Sequence, residues 1–224
     1  MSTAAVGEAN ELNLGITFLD CADAALIAMR SPLLSDTWND DSVLDRMTVG
    51  GLVAHISSAI ITAELYLPVD APTETTATDA AGFYIEAMKI GDYRDGPDSE
   101  LQSIIRTGSE ELAATGQSAV IATAEGSLER VRGLLDGPPD RLIATFSDIV
   151  LSAGDYLGTR IIEFVVHLDD LAASVQGLDA LLPPHAAEYA ARVLAEVAIR
   201  HHGAGAAVQA FARSERSASP FTAL

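Results

Sequence analysis

Apolar positions recur at intervals of three and four along most of the chain, the repeat of helices with one buried face. Leu12, Ile16, Leu19 and Leu26 mark such a face between about Glu8 and Arg30, and Pro32 stops it. Ser35 to Arg46 is a polar, acidic connection that carries the only tryptophan, Trp38. Thr48 is a suitable N-cap for a second helix running to about Leu67, where Pro68 ends it. Residues 69–80, rich in Pro, Thr, Asp and Ala, read as a loop, 81–90 as a shorter helix, and Gly91 to Pro97 as a break. Asp98 or Ser99 caps a long third major helix with an apolar face from Leu101, Ile104 and Ile105 through Leu112 and Leu128 to Leu135, closed by Gly137-Pro-Pro139. Gly108 and Gly116 weaken its middle and allow a kink or a break there. Residues 141–152 fit either a strand or an irregular buried segment.

A helix from about Ala153 to Val175 terminates at Gly177, and Pro183-Pro184 opens another that reaches about His201. From Gly203 to Leu224 the pattern gives one short helical piece and then coil. The whole predicts a mainly all-α protein. Four principal helices form a bundle over residues 1–177, and 178–224 form a helical extension.

Composition narrows the function. With 32 acidic residues against 13 Lys and Arg, the formal charge of −19 rules out a basic nucleic-acid-binding face and disfavours an anionic membrane surface. One cysteine, Cys21, leaves no internal disulfide and no cysteine-rich zinc site, and it reads as a core thiol of the first helix. The N-terminus lacks the basic region and apolar run of a signal peptide. The uncharged stretch from Thr48 to Ala63 is short for a bilayer span and contains a histidine. These features predict a soluble, cytoplasmic protein.

Candidate chemistry centres on Glu163 and His167. Four residues apart, they share one face of the helix predicted over 153–175. Their neighbours Ile161, Ile162, Phe164, Val165 and Val166 belong in an interior, where a carboxylate must be paired or coordinated. Among the remaining histidines, His185 follows a Pro-Pro pair at a helix start, and the adjacent His201 and His202 diverge by about 100° at a helix end. His55 lies mid-helix beside Leu52, Ile56 and Ala59 and points inward. Two imidazoles and a carboxylate make a catalytic zinc set with a fourth position open, and the same donors suit Fe(II), Mn(II) or Ni(II). By spacing alone, the residues fit equally a surface Glu–His pair and a satisfied core histidine.

Two segments resemble a known family. Met47-Thr-Val-Gly-Gly-Leu-Val-Ala-His55 is similar to a Trp-Thr-Val-x-x-Leu-x-x-His stretch, and Tyr156-Leu-Gly-Thr-Arg-Ile-Ile-Glu-Phe-Val-Val-His-Leu-Asp-Asp-Leu171 to a Tyr-Leu-x-x-Arg-x-x-Glu-x-x-x-His-x-x-Asp-Leu signature. By these two stretches the chain resembles the DinB-like metal-binding superfamily, and more closely the mycothiol-dependent maleylpyruvate isomerases of actinobacteria. Ala206 to Leu224 is weakly similar to that family's ending.

The resemblance implies a DinB-like four-helix bundle in which His55, Glu163 and His167 ligate Zn2+ or another divalent metal. It places Asp170 where an acid accepts an N–H from a ligand histidine or orients a bound thiol. Arg160 would neutralise Glu163 or meet a substrate carboxylate, and Arg213 falls near the family's terminal arginine. Arg216 is a further candidate for an anionic substrate. The implied activity is activation of mycothiol, a small-molecule thiol, as a thiolate. The thiolate adds to an electrophilic substrate and gives cis–trans isomerisation or S-transfer, in a monomer or homodimer. The alternative is a non-catalytic metal-binding protein of the same superfamily. Met47 in place of Trp, and Gly50-Gly51 in place of a polar pair, predict a reshaped pocket wall or a loosened helix start.

Overall fold

A computed structural model describes residues 12–90, 99–179 and 181–212. Over these residues the chain forms α1 (Leu14–Met29), α2 (Leu33–Thr37), α3 (Val49–Tyr66), α4 (Ala80–Ile90), α5 (Glu100–Ala113) and α6 (Gln117–Leu134). Two short strands follow, β1 (Leu142–Ala144) and β2 (Val150–Ser152), and then α7 (Ala153–Ser174), α8 (Pro184–His202) and α9 (Ala204–Ala212). The architecture is all-α and DinB-like. α3 packs on α5, α6 and α7, while α1 lies against α6 and α7. Phe18 and Met29 of α1, Leu52, Ile56 and Ile60 of α3, Val120 and Val131 of α6, and Ile161, Phe164 and Leu168 of α7 share one buried core. The rings of Phe18 and Phe164 meet in it, 5.7 Å apart.

Side-chain caps fix where the helices begin. Thr48 accepts from the Gly51 amide at 2.9 Å, Ser99 from Gln102 at 3.3 Å and Ser152 from Asp155 at 2.9 Å. Each satisfies an amide that the helix itself leaves without a partner. Asn13 does the same for Ile16, so α1 starts at Leu14 with Leu12 before it, and the start expected near Glu8 lies outside the described residues. The break expected over 91–97, and Asp98, lie outside the described residues. The long third helix divides at Gly116, whose φ of +91° a side chain would resist. Gly108 stays within α5.

Residues 141–152 resolve into a small antiparallel hairpin that pairs Leu142 with Ser152, Ile143 with Leu151 and Ala144 with Val150. Its turn holds Ser147 and Asp148 at positive φ. Single bridges from Asp70 to Ile143 and from Thr78 to Leu151 tie the preceding loop to it. That loop is therefore anchored at both ends, and it delivers α4 to the side of α7. α8 packs across α4 and α7.

The start of α3 is tight. A Cβ on Gly50 would fall 2.6 Å from Trp38 Cε2, and one on Gly51 would fall 2.2 Å from Glu110 Oε1. Trp38 lies in that space and donates from Nε1 to the Ala113 carbonyl at 3.2 Å. Glu110 accepts from the Thr48 amide and hydroxyl at 2.8 and 2.9 Å. The paired glycines thus admit Trp38 and Glu110 and anchor the helix, contrary to the loosening expected from sequence. Val49–Tyr66 is long and apolar enough to cross a membrane, but 61% of it is buried in the bundle, as in a core helix.

Gly50→Ala should lower the unfolding free energy by about 1–2 kcal/mol, because overpacking against Trp38 outweighs the helix propensity gained. Gly108→Ala, where a Cβ meets nothing within 4 Å, should raise it by about 0.5–1 kcal/mol. Urea titrations of both variants read the two signs.

Candidate metal centre

The cap at Ser152 sets the phase of α7, and that phase turns Glu163 and His167 to the side facing α3. His55, two turns into α3, completes the cluster. Its Nε2 lies 3.1 Å from His167 Nε2 and 3.8 Å from Glu163 Oε2, while His167 Nε2 is 3.4 Å from the same oxygen. These three ligand atoms lie within 4.8 Å of one another, and among the described residues this is the one such group of three or more His, Cys, Asp or Glu side chains. Tetrahedral donors at about 2.0–2.1 Å from a zinc ion would stand roughly 3.3–3.4 Å apart. The observed triangle brackets that separation, so the donor set fits a divalent cation. The side chains of His55, Glu163 and His167 are 15%, 21% and 18% exposed. The cluster is thus mostly buried, and each of its side chains keeps a minor part of its surface in contact with solvent.

Surrounding groups hold the donors in register. Asp170 Oδ2 accepts from His167 Nδ1 at 2.9 Å, which leaves Nε2 to face the cluster. The Ser174 hydroxyl donates to the Asp170 carbonyl at 2.7 Å and accepts from the Val43 amide at 3.0 Å, joining the end of α7 to the chain ahead of α3. Tyr84 Oη lies 3.0 Å from Glu163 Oε1 and 3.1 Å from the Thr159 carbonyl. Nothing in the sequence singled out Tyr84. The one available signal was a phenol tip on the otherwise apolar run Ala80-Ala-Gly-Phe-Tyr84. Arg160 is set between rings, 5.1 Å from the centre of Tyr156 and 5.7 Å from that of Phe83. It donates to the hydroxyls of Thr159 at 3.1 Å and Thr62 at 3.4 Å, and it reaches Glu163 by charge rather than by contact.

The protonation states follow from this geometry. Burial, reinforced by the positive charge of His167, pulls His55 down to about 4, so it presents a free lone pair. Burial would raise Glu163, but the hydrogen bond from His167 and the charge of Arg160 outweigh it and hold the carboxyl well below its usual range. Burial would lower His167, but its bonds to Asp170 and Glu163 lift it to about 9. Without a metal, the proton on His167 supplies the cation that the carboxylate and the second imidazole require.

Of the other candidates, His185 is half-buried at the start of α8, and His201 and His202 are exposed at its end with their rings 4.5 Å apart. Arg213 and Arg216 lie outside the described residues. Met47 is buried in the core. Cys21 is fully buried in α1, where burial, aided by the charge of Asp20, pushes its thiol up to about 12.

Fold and cluster together define a DinB-like helical bundle carrying a His–Glu–His group able to hold a metal ion. The family model for the mycothiol maleylpyruvate isomerase N-terminal domain matches residues 19–172, more than half of the chain, and the chain belongs to that family. The match takes in all three cluster residues and Asp170. No curated protein and no solved structure matches the chain.

Because Cys21 stays protonated far above neutrality, a thiol-specific dye at pH 8 should label almost none of the native protein and one thiol per chain in denaturant. Rapid labelling of the native state would mean that Cys21 is an accessible nucleophile.

Proposed function

We propose that the protein is an enzyme in which His55, Glu163 and His167 hold a divalent cation, zinc by preference, and that it activates mycothiol for addition to an electrophilic substrate. The observation that carries this reading is the convergence of two imidazoles and one carboxylate, whose donor atoms stand 3.1 to 3.8 Å apart in a mostly buried cluster. Family membership supports the choice of thiol. A bound divalent cation stabilises the anion of a ligating thiol, so that the thiolate is the species present near neutral pH.

The remaining work falls to the chain's own side chains. Asp170 holds the Nδ1 proton of His167 and so fixes Nε2 as the ring nitrogen that faces the cluster. Together with the hydrogen bond from His167, the charge of Arg160 keeps Glu163 ionised. Cys21, buried and protonated, cannot stand in for an external thiol. In the reaction, the sulfur lone pair forms a C–S bond to a conjugated alkene, and the alkene π pair moves onto the adjoining carbonyl. Rotation about the former double bond and return of that pair, with C–S cleavage, gives the isomer. Protonation of the adduct instead gives the S-transfer product. The net charge of −19 disfavours long-range capture of anions, so an anionic electrophile would rely on local arginines such as Arg160. We place this activity in the cytoplasm, where small thiols are kept reduced.

Protein purified without chelator should carry about one divalent ion per chain by elemental analysis, and His55→Ala should lose it. Asp170→Ala should weaken metal binding by about 10- to 100-fold, read by competition with a chromophoric chelator. Titration calorimetry with mycothiol should show binding to the metal-loaded protein and none after Glu163→Ala. Full metal occupancy with no thiol binding would favour a non-catalytic metal-binding protein instead.

A further inference from the structure

The two oxygens of Glu163 serve different partners. Oε2 turns toward the imidazoles, 3.4 and 3.8 Å from their Nε2 atoms, while Oε1 lies 3.0 Å from Tyr84 Oη. The phenol has one proton, and its acceptors in reach include Glu163 Oε1 and the Thr159 carbonyl, the latter at 3.1 Å. An ionised carboxylate is the stronger acceptor, and the Thr159 carbonyl already faces the helical amide four residues on. The proton therefore goes to Glu163.

Tyr84 has little freedom to move. It is 6% exposed, and its ring meets Phe83 edge-on at 5.6 Å. The helix beneath it is fixed too. Asp79 caps α4 through the Gly82 amide at 2.8 Å and is gripped by two nitrogens of Arg200 on α8, each at 2.6 Å. A continuous line of contacts thus runs from α8 through the start of α4 to one oxygen of the cluster.

We propose that Tyr84 is a positioning residue: it pins Oε1 of Glu163 so that the carboxylate offers a cation Oε2 alone, leaving the fourth position to the thiol. This rests on the metal–thiol reading above. A carboxylate free to swing could bind through both oxygens, raising the coordination number from four to five and crowding the position that the thiol needs.

Cobalt(II) in place of zinc provides the test, because its visible absorption is strong in four-coordinate sites and weak in five-coordinate ones. Wild type should show the strong spectrum, and Tyr84→Phe the weak one. The variant's affinities for cobalt and for mycothiol should fall by about 10- to 100-fold. A purely structural role would lower the melting temperature of Tyr84→Phe and leave the cobalt spectrum unchanged. That result, or unchanged thiol affinity, overturns the role of Tyr84 while the metal reading stands. Wild type that takes up no cobalt overturns the metal reading and this inference with it. Should Tyr84→Phe not fold, X-ray absorption of zinc-loaded wild type decides: one carboxylate oxygen at bonding distance is expected, and two at equal distance contradict the proposal.

Discussion

The approach of α3 to α7 is the constraint on which the site depends. Only when these helices pack closely do the Nε2 atoms of His55 and His167 come within 3.1 Å. The apolar layers around them, Ile56 and Ile60 from one helix and Phe164 and Leu168 from the other, supply the force that brings them together. The same packing strips water from a carboxylate and two imidazoles, which costs free energy unless each polar atom finds a partner. The partners are all present. Tyr84 serves Oε1 of Glu163, Asp170 serves Nδ1 of His167, and the charge of Arg160 lies close by. No buried side-chain nitrogen or oxygen among the described residues lacks a hydrogen bond.

This arrangement divides labour by distance. The atoms that would touch a cation come from three side chains on two helices. The atoms that orient them come from the ends of α7, from α4 and, through Arg200 and Asp79, from α8. Arg160 is held beside two aromatic rings, so its charge is fixed in place without a direct ion pair to Glu163. A site built this way has its donor atoms held in place from several elements at once.

Much of this was legible in the sequence because it is local. A four-residue spacing inside an apolar run puts Glu163 and His167 on one buried helix face whatever the tertiary fold. The caps at Thr48 and Ser99 and the terminator Gly177 are local as well. The inward direction of His55 was readable from its flanks, but its meeting with the other two, which rests on packing between segments more than a hundred residues apart, was implied only by the family resemblance. Tyr84 escaped notice for the same reason. Its partner is distant in sequence, and an aromatic at a helix's buried face reads as core. The packing role of the paired glycines at 50 and 51 was hidden because it lies in Trp38 and Glu110, side chains of other segments. The hairpin over 142–152 was ambiguous because its strands of three residues are too short to show an alternating pattern. The division of the long helix at Gly116 was foreseen as an option, and only the positive φ decides it.

Anomalous X-ray diffraction at the zinc edge, from crystals of protein purified without chelator, tests the central claim most directly. The account predicts one strong peak about 2.0–2.2 Å from His55 Nε2, Glu163 Oε2 and His167 Nε2 together. A peak bound elsewhere, or none at this cluster in protein shown to be metal-loaded, would contradict it.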